Sequence, residues 1–263
     1  MASLKGHRWG ILGLLVLGVG FALLFPTTYQ AYGGEQFFRQ FLQQAPKGVE
    51  ALLKSSGGAL QASGAEGYIL IGFRHPIILV AGSALAIALA SGAVARQVES
   101  RAMLLLLARP IPRSSYLLAH WLEMALAVAG FVGALVAGIG LGLAIAGTPE
   151  PVSFTTFGLG ALAAYGLFMA VGGIALLLSS AASDGGVATG LGAAIALFLF
   201  LLDFVSGLWA PLGVLGPASL FHYYNPVSIV EQGLRTLDIG VLFGTALVAT
   251  GAAFARFRTR DIA

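Results

Sequence analysis

An all-α, polytopic membrane protein with six transmembrane helices is the architecture this sequence predicts, and three observations predict it. Hydrophobic residues make up 58% of the 263 and charged residues only 10%, with a mean hydropathy of +0.90, far more apolar than a soluble domain of this size. Six runs, at 9–25, 77–95, 116–146, 152–180, 187–205 and 239–255, are apolar over the length that a helix needs to cross a hydrocarbon core about 30 Å thick. Many of the 37 glycines fall inside these runs, where small residues let helix backbones approach one another. What lies between the runs leaves no room for a soluble domain, so residues 1–263 are expected to form a single transmembrane domain.

The first run follows the basic residues Lys5 and Arg8. The residues after Phe25, PTTYQAYGG, lack a small-x-small cleavage pattern, so the run is expected to stay as a span rather than to leave as a signal peptide. Residues 26–76 are too long for a turn and too patterned for a linker. Phe37, Phe38, Phe41, Leu42 and Ala45, then Val49, Leu52 and Leu53, recur at helical spacing on either side of Pro46. An external helical loop is expected there, capping the bundle at the outer interface or gating a path through it, with Gly57, Gly58, Gly64 and Gly67 loosening the chain before the second span.

Between the second and third runs, 96–115 carries Arg96, Arg101, Arg109 and Arg113 around the apolar core 103–108, the charge pattern of a cytoplasmic loop. On a helix Arg101, Leu105 and Arg109 share one side while Met103, Leu106, Leu107 and Pro110 take the other, so a short amphipathic surface helix is expected. Pro110 and Pro112 end it, and Ser114 or Ser115 is expected to cap the third span. Runs three and four exceed one bilayer, so tilt or protrusion is expected.

Ionisable groups inside apolar runs are costly and therefore informative. His120 and Glu123 lie near the cytoplasmic start of run three, within reach of the interface or of the arginines. Asp184 stands before two glycines, as in a turn. Asp203, between FLFLL and FVSGLW, is placed either at the outer interface or in a packing or pathway role. Glu123 and Asp203 are thus the candidate pathway residues. The stretch 206–238 holds Trp209, Phe221, Tyr223 and Tyr224, which either anchor at the interface or meet whatever passes through.

With the amino terminus inside, nine of the 14 basic residues are cytoplasmic: Lys5, Arg8, the four arginines of 96–113, and Arg256, Arg258 and Arg260. Arg39, Lys47, Lys54, Arg74 and Arg235 fall in the two long external loops, where their influence is weaker. Both termini are expected on the cytoplasmic side of the plasma membrane. Ion-coupled transport would want several charges near the midplane, and these are missing. The chain has no cysteine, its four histidines are scattered, and neither a Gly-Lys phosphate loop nor a Gly-x-Ser-x-Gly elbow occurs. Nucleotide chemistry, metal binding and nucleic-acid binding are not expected of this chain.

The order of glutamate, leucine run, proline, arginine and new span in VESRAMLLLLARPIPRSSYLL resembles the intracellular coupling region of type-2 ATP-binding-cassette (ABC) transporter permeases. The external segments FLQQAPKGVEALLKSSGG and EGYI, the stretch 206–238 and the ending FRTRDI resemble the same family, so the likeness covers nearly the whole chain. Arg101 and Leu104 stand where relatives often carry glycine and glutamate, and His120 where lysine is frequent. The resemblance implies a non-enzymatic permease subunit of an ATP-driven exporter, paired with a second permease copy or homologue and with cytoplasmic ABC ATPase subunits that hold ATP and Mg. It implies a cytoplasmic coupling helix between helices 2 and 3, with Glu99, Arg101, Leu105, Arg109, Pro110 and Arg113 as the coupling residues, and a re-entrant region over 206–238. The alternative is a multispan scaffold or accessory protein with no transport path of its own.

Overall fold

The structure, a computed structural model, describes residues 2–34, 40, 64–103, 112–147 and 151–260. Most of the expected helices of 35–63, together with Leu105, Arg109 and Pro110 of the coupling segment, lie outside the described residues. Helix α1 spans Ala2–Ala31, α2 Gly64–Arg74, α3 Pro76–Ala93, α4 Ala95–Glu99, α5 Arg113–Ala146, α6 Phe154–Ala181 and α7 Gly185–Leu208. Two 3-10 segments, Ala210–Ala218 and Leu220–Tyr223, lead to the single turn α8, Ile229–Gln232, and to α9, Thr236–Thr259. Six stretches are long and apolar enough to cross a membrane: Trp9–Ala31, Pro76–Glu99, Arg113–Ala146, Phe154–Ala181, Gly185–Leu208 and Thr236–Thr259. They are spans 1 to 6.

Span 4 is the centre of the bundle, with spans 2 and 6 on its flanks and spans 3 and 5 also against it, while span 1 lies along span 3. Glycine makes these approaches possible. A Cβ added at Gly138 would lie 2.4 Å from the Val19 carbonyl oxygen, and one at Gly142 2.8 Å from that of Leu23, so the Gly138–Gly142 pair is where span 1 crosses span 3. Gly172 similarly admits the Met124 sulfur of span 3 and Gly173 the Ala246 carbonyl of span 6. Gly186 and Gly190, at the same four-residue spacing, differ, because Gly190 faces open space and a Cβ at Gly186 would meet only the Asp184 side chain.

Three expected boundaries are corrected. Span 1 does not stop before Pro26 but runs on to Ala31. Proline removes only the one amide that would bond the Ala22 carbonyl, and the helix continues beyond it, with the hydroxyls of Thr27 and Thr28 donating to the carbonyls of Leu23, Leu24 and Phe25. Gly64 and Gly67 do not loosen the chain. Gly64, at φ +74, opens α2, and Gly67 is buried within it. Ser114 and Ser115 do not cap span 3: the helix begins at Arg113 and the Pro112 carbonyl accepts from the Ser115 and Tyr116 amides. A proline fits just outside a helix because it has no amide to leave unpaired.

At 34 residues α5 is about 51 Å long, well beyond a 30 Å core, so span 3 tilts or protrudes as its run length predicts. His75 caps α3 by accepting the Ile77 amide at Nδ1. Burial holds the imidazole below its usual pKa and so keeps it in the neutral form that can accept.

Candidate functional site

Two groups of polar residues stand at opposite ends of the bundle. At the end holding 93–103, 112–116, 180–185 and 256–260, span 2 breaks at Val94. Ser179 of span 4 repairs the break by accepting the Val94 and Ala95 amides at 3.3 and 3.0 Å and donating to the Ser91 carbonyl at 3.0 Å. Tyr116 of span 3 donates to the Ala93 carbonyl at 2.8 Å, and Thr189 of span 5 to Ser91 Oγ at 2.8 Å. The bend that aims α4 is thus pinned by three other spans.

Glu99, the last residue of α4, accepts the Gly185 amide at 2.9 Å. A carboxylate suits a helix N-terminus, where unpaired amides and the peptide dipoles favour negative charge. Asp184 holds the next position in turn form, accepting the Val187 amide at 2.8 Å. The fit is tight, since a Cβ at Gly185 would lie 2.2 Å from Arg96 Cγ. Arg101 follows at φ +59, the left-handed region, so no unbroken helix runs from Arg96 towards Arg109. α4 closes at Glu99 with the Arg101 amide turned back to the Val98 carbonyl, the chain is helical again at 102–103, and the rest of the expected surface helix, 104–110, lies outside the described residues.

Arg113 does not project towards a partner on all its donors, for Nη1 reaches the Arg260 carbonyl at 2.6 Å and that of Phe257 at 3.5 Å. Arg260 is buried. Its guanidinium donates to the Ser180 and Ala182 carbonyls at 3.0 and 2.9 Å and to Ser183 Oγ at 3.2 Å. The span 4–span 5 turn is therefore held by Glu99 from one side and by Arg260 from the other. By sequence Arg260 is a topology signal and Glu99 a coupling residue; the contacts each makes within the bundle leave no sequence signal, because most of their partners are backbone groups.

Spans 2 and 5 flank an open-sided cleft of about 250 Å3 lined by residues that include Leu79, Ser83, Ile87, Ala196, Phe200 and Phe221, with the exposed Val80 and Leu197 at its rim. Among the described residues Ser83 Oγ, buried against this cleft, has no hydrogen-bond partner. A buried hydroxyl without a partner costs free energy unless something supplies one. Phe221 thus belongs to the cleft, and Tyr224 is fully buried with its hydroxyl donating to the Phe73 carbonyl at 3.1 Å. For Tyr224 the interface-anchor expectation is corrected, whereas Trp209 is exposed.

Toward the other end, the cleft adjoins a cavity of about 50 Å3 whose walls include Leu79, Phe200 and Phe221 again, together with Arg74 and Asp203. Arg74 Nη2 meets Asp203 Oδ2 at 2.7 Å, with both side chains about nine-tenths buried. The same guanidinium bonds the Tyr224 carbonyl and reaches that of Phe221 at 3.4 Å, and His222 Nδ1 stands 3.8 Å from Asp203 Oδ1. Asp203 is accordingly a packed, charge-paired residue rather than an interface one. Glu123 faces His120 Nδ1 at 3.6 Å on span 3 and does not line the cleft.

Compared with known protein families, residues 7–262 match the one described as ABC-2 family transporter protein. No curated protein and no solved structure matched the chain.

Proposed function

We propose that this chain works as the membrane-spanning subunit of an ATP-driven exporter, and the premise is its family: the chain belongs to the ABC-2 transporters and is a permease component of an ABC transporter. ABC ATPase subunits, carrying ATP and Mg, dock on the arginine-rich face at 96–115, which lies in the cytoplasm with both termini. A second permease, a copy or a homologue, completes the path, and the assembly sits in the plasma membrane. Hydrolysis takes place on the ATPase, and the permease supplies the moving wall.

One observation carries this reading: the Glu99 carboxylate, at the head of the coupling segment, grips the first amide of span 5, and span 5 lines the cleft. A displacement of the coupling segment by the ATPase reaches span 5 through that bond and span 2 through the Ser179 joint. Because spans 2 and 5 are the two walls, the cleft changes width. ATP biases such a change only through contacts that differ between the two states. The nearly all-apolar lining with one spare hydroxyl suits an apolar or amphipathic cargo.

The test is affinity recovery from detergent-solubilised native membranes of the intact chain and of a variant with Glu99, Arg101 and Arg109 changed to alanine. An ABC ATPase is expected with the intact chain and at least about tenfold less with the variant, as loss of some 1.4 kcal/mol of contact would give. Recovery of other membrane partners with no ATPase would sink the exporter reading and favour the scaffold.

A further inference from the structure

We propose that Arg74 and Asp203 form the outer gate of the cleft between spans 2 and 5, a role that rests on the export reading and adds to it the residues that close the path. The two charges are placed on the two walls. Arg74 ends α2 two residues before span 2 begins at Pro76, and Asp203 lies in the last third of span 5. Their 2.7 Å contact therefore ties the outer end of one wall to the outer end of the other.

Beneath the pair, Leu79, Phe200 and Phe221 belong both to the cleft and to the small cavity under the ion pair, so they form an apolar floor to the gate. Above it, Arg74 also holds the Phe221 and Tyr224 carbonyls, which draws the stretch 220–224 over the opening. Spans 2 and 5 cannot part at this end while the pair is intact. Parting them leaves two charges to find water, and a path open to the outside supplies it. The same arrangement is shut when dry and tolerable when wet, which is what an exit needs. His222, half-exposed and 3.8 Å from Asp203 Oδ1, gives the carboxylate a second neighbour as Arg74 withdraws.

Because the chain has no cysteine, one thiol can report on the gate. Ser83→Cys places it in the cleft, and the full chain, expressed in cells, is exposed to a membrane-impermeant trimethylammonium methanethiosulfonate without added nucleotide. Leu215→Cys and Arg258→Cys, both on exposed positions at the two ends, serve as outer and inner controls. Labelling of Ser83→Cys is expected to be slow with the native pair and about tenfold faster with Asp203→Asn or Arg74→Gln, as a shifted open population requires. The exchanged pair, Arg74→Asp with Asp203→Arg, is expected to return it to slow.

Equal labelling across folded variants overturns the gate, and so does an exchanged pair that labels as fast as the single variants. Labelling of Arg258→Cys before Leu215→Cys overturns it as well, since the pair would then face the cytoplasm. Should a single variant fail to fold, the native pair is read in vesicles of the copurified complex with ATP and Mg on the ATPase side. Nucleotide is expected to speed labelling from the opposite side, and an unchanged rate in a complex that hydrolyses ATP overturns the gate. Absence of a copurifying ATPase counts against the export reading, while the comparison of variants in cells still decides the gate.

Discussion

Arg101 is an arginine in a backbone conformation that costs an ordinary residue about 1–2 kcal/mol. Glycine adopts it without that cost but gives up roughly 0.5–1 kcal/mol of chain entropy. Arg101→Gly is therefore expected to hold or slightly raise the thermal midpoint of the purified chain, and Arg101→Val to lower it by a few degrees, measured by fluorescence in detergent. A Val that unfolds no earlier than wild type would mean that the turn relaxes. At this scale a single sequence reveals the oddity of a residue more readily than its partner. Asp203 stood out because a carboxylate inside an apolar run has no cheap explanation. Arg74, far away along the chain, looked like an ordinary loop charge, and only folding brings the two together. Glu99 was legible as important but its acceptor role was not, since its partner is a backbone amide that every residue type supplies.

Helices were the easiest elements to read, because hydropathy over some 20 residues is an average that single residues hardly disturb. Their ends were harder. Pro26 looks like a stop, and nothing local in the sequence says that the helix runs through it to Ala31. That glycines inside the runs serve close approach was legible, but not which neighbour each one meets; Gly138–Gly142 and Gly186–Gly190 share a four-residue spacing and differ in this. The two pairs make opposite predictions. Gly138→Leu drives a side chain into the span 1 backbone and is expected to destabilise the chain by about 1–3 kcal/mol or more, the usual cost of overpacking. Gly190→Leu points into open space and is expected to leave the chain as stable or, through better helix propensity, up to about 1 kcal/mol more so. Denaturant titration in micelles compares them, and an equal loss in both would mean that the Gly190 face is covered.

On the scale of the whole molecule, polar bonding is concentrated at two levels with the apolar cleft between them. One level joins Arg74, Asp203 and the 220–224 stretch, and the other joins Glu99, Arg113 and Arg260 around the span 4–span 5 turn. Sequence gave the membrane class, the six spans and the family likeness over nearly the whole chain, since those rest on composition and order. It could not give the cleft, which is built from ordinary Leu, Ile, Ala and Phe. Arg260→Ala is expected to leave all six spans in place by circular dichroism while reducing ATPase recovery several-fold, and Arg260→Lys to restore part of it through one remaining donor. Full recovery with the alanine variant would show that the turn keeps its shape unaided.

That clasp also has a bearing on how the protein is made. Arg260 follows the last of the six spans, yet its guanidinium holds carbonyls at the end of the fourth and in the turn beyond it. During synthesis the first five spans can insert and pack with the turn held by Glu99 alone, and the second grip closes only once the sixth span and this arginine have left the ribosome. A chain cut short before that point would keep one of the turn's two grips and lose the other, so the shape of the turn reports whether the sixth span has been made.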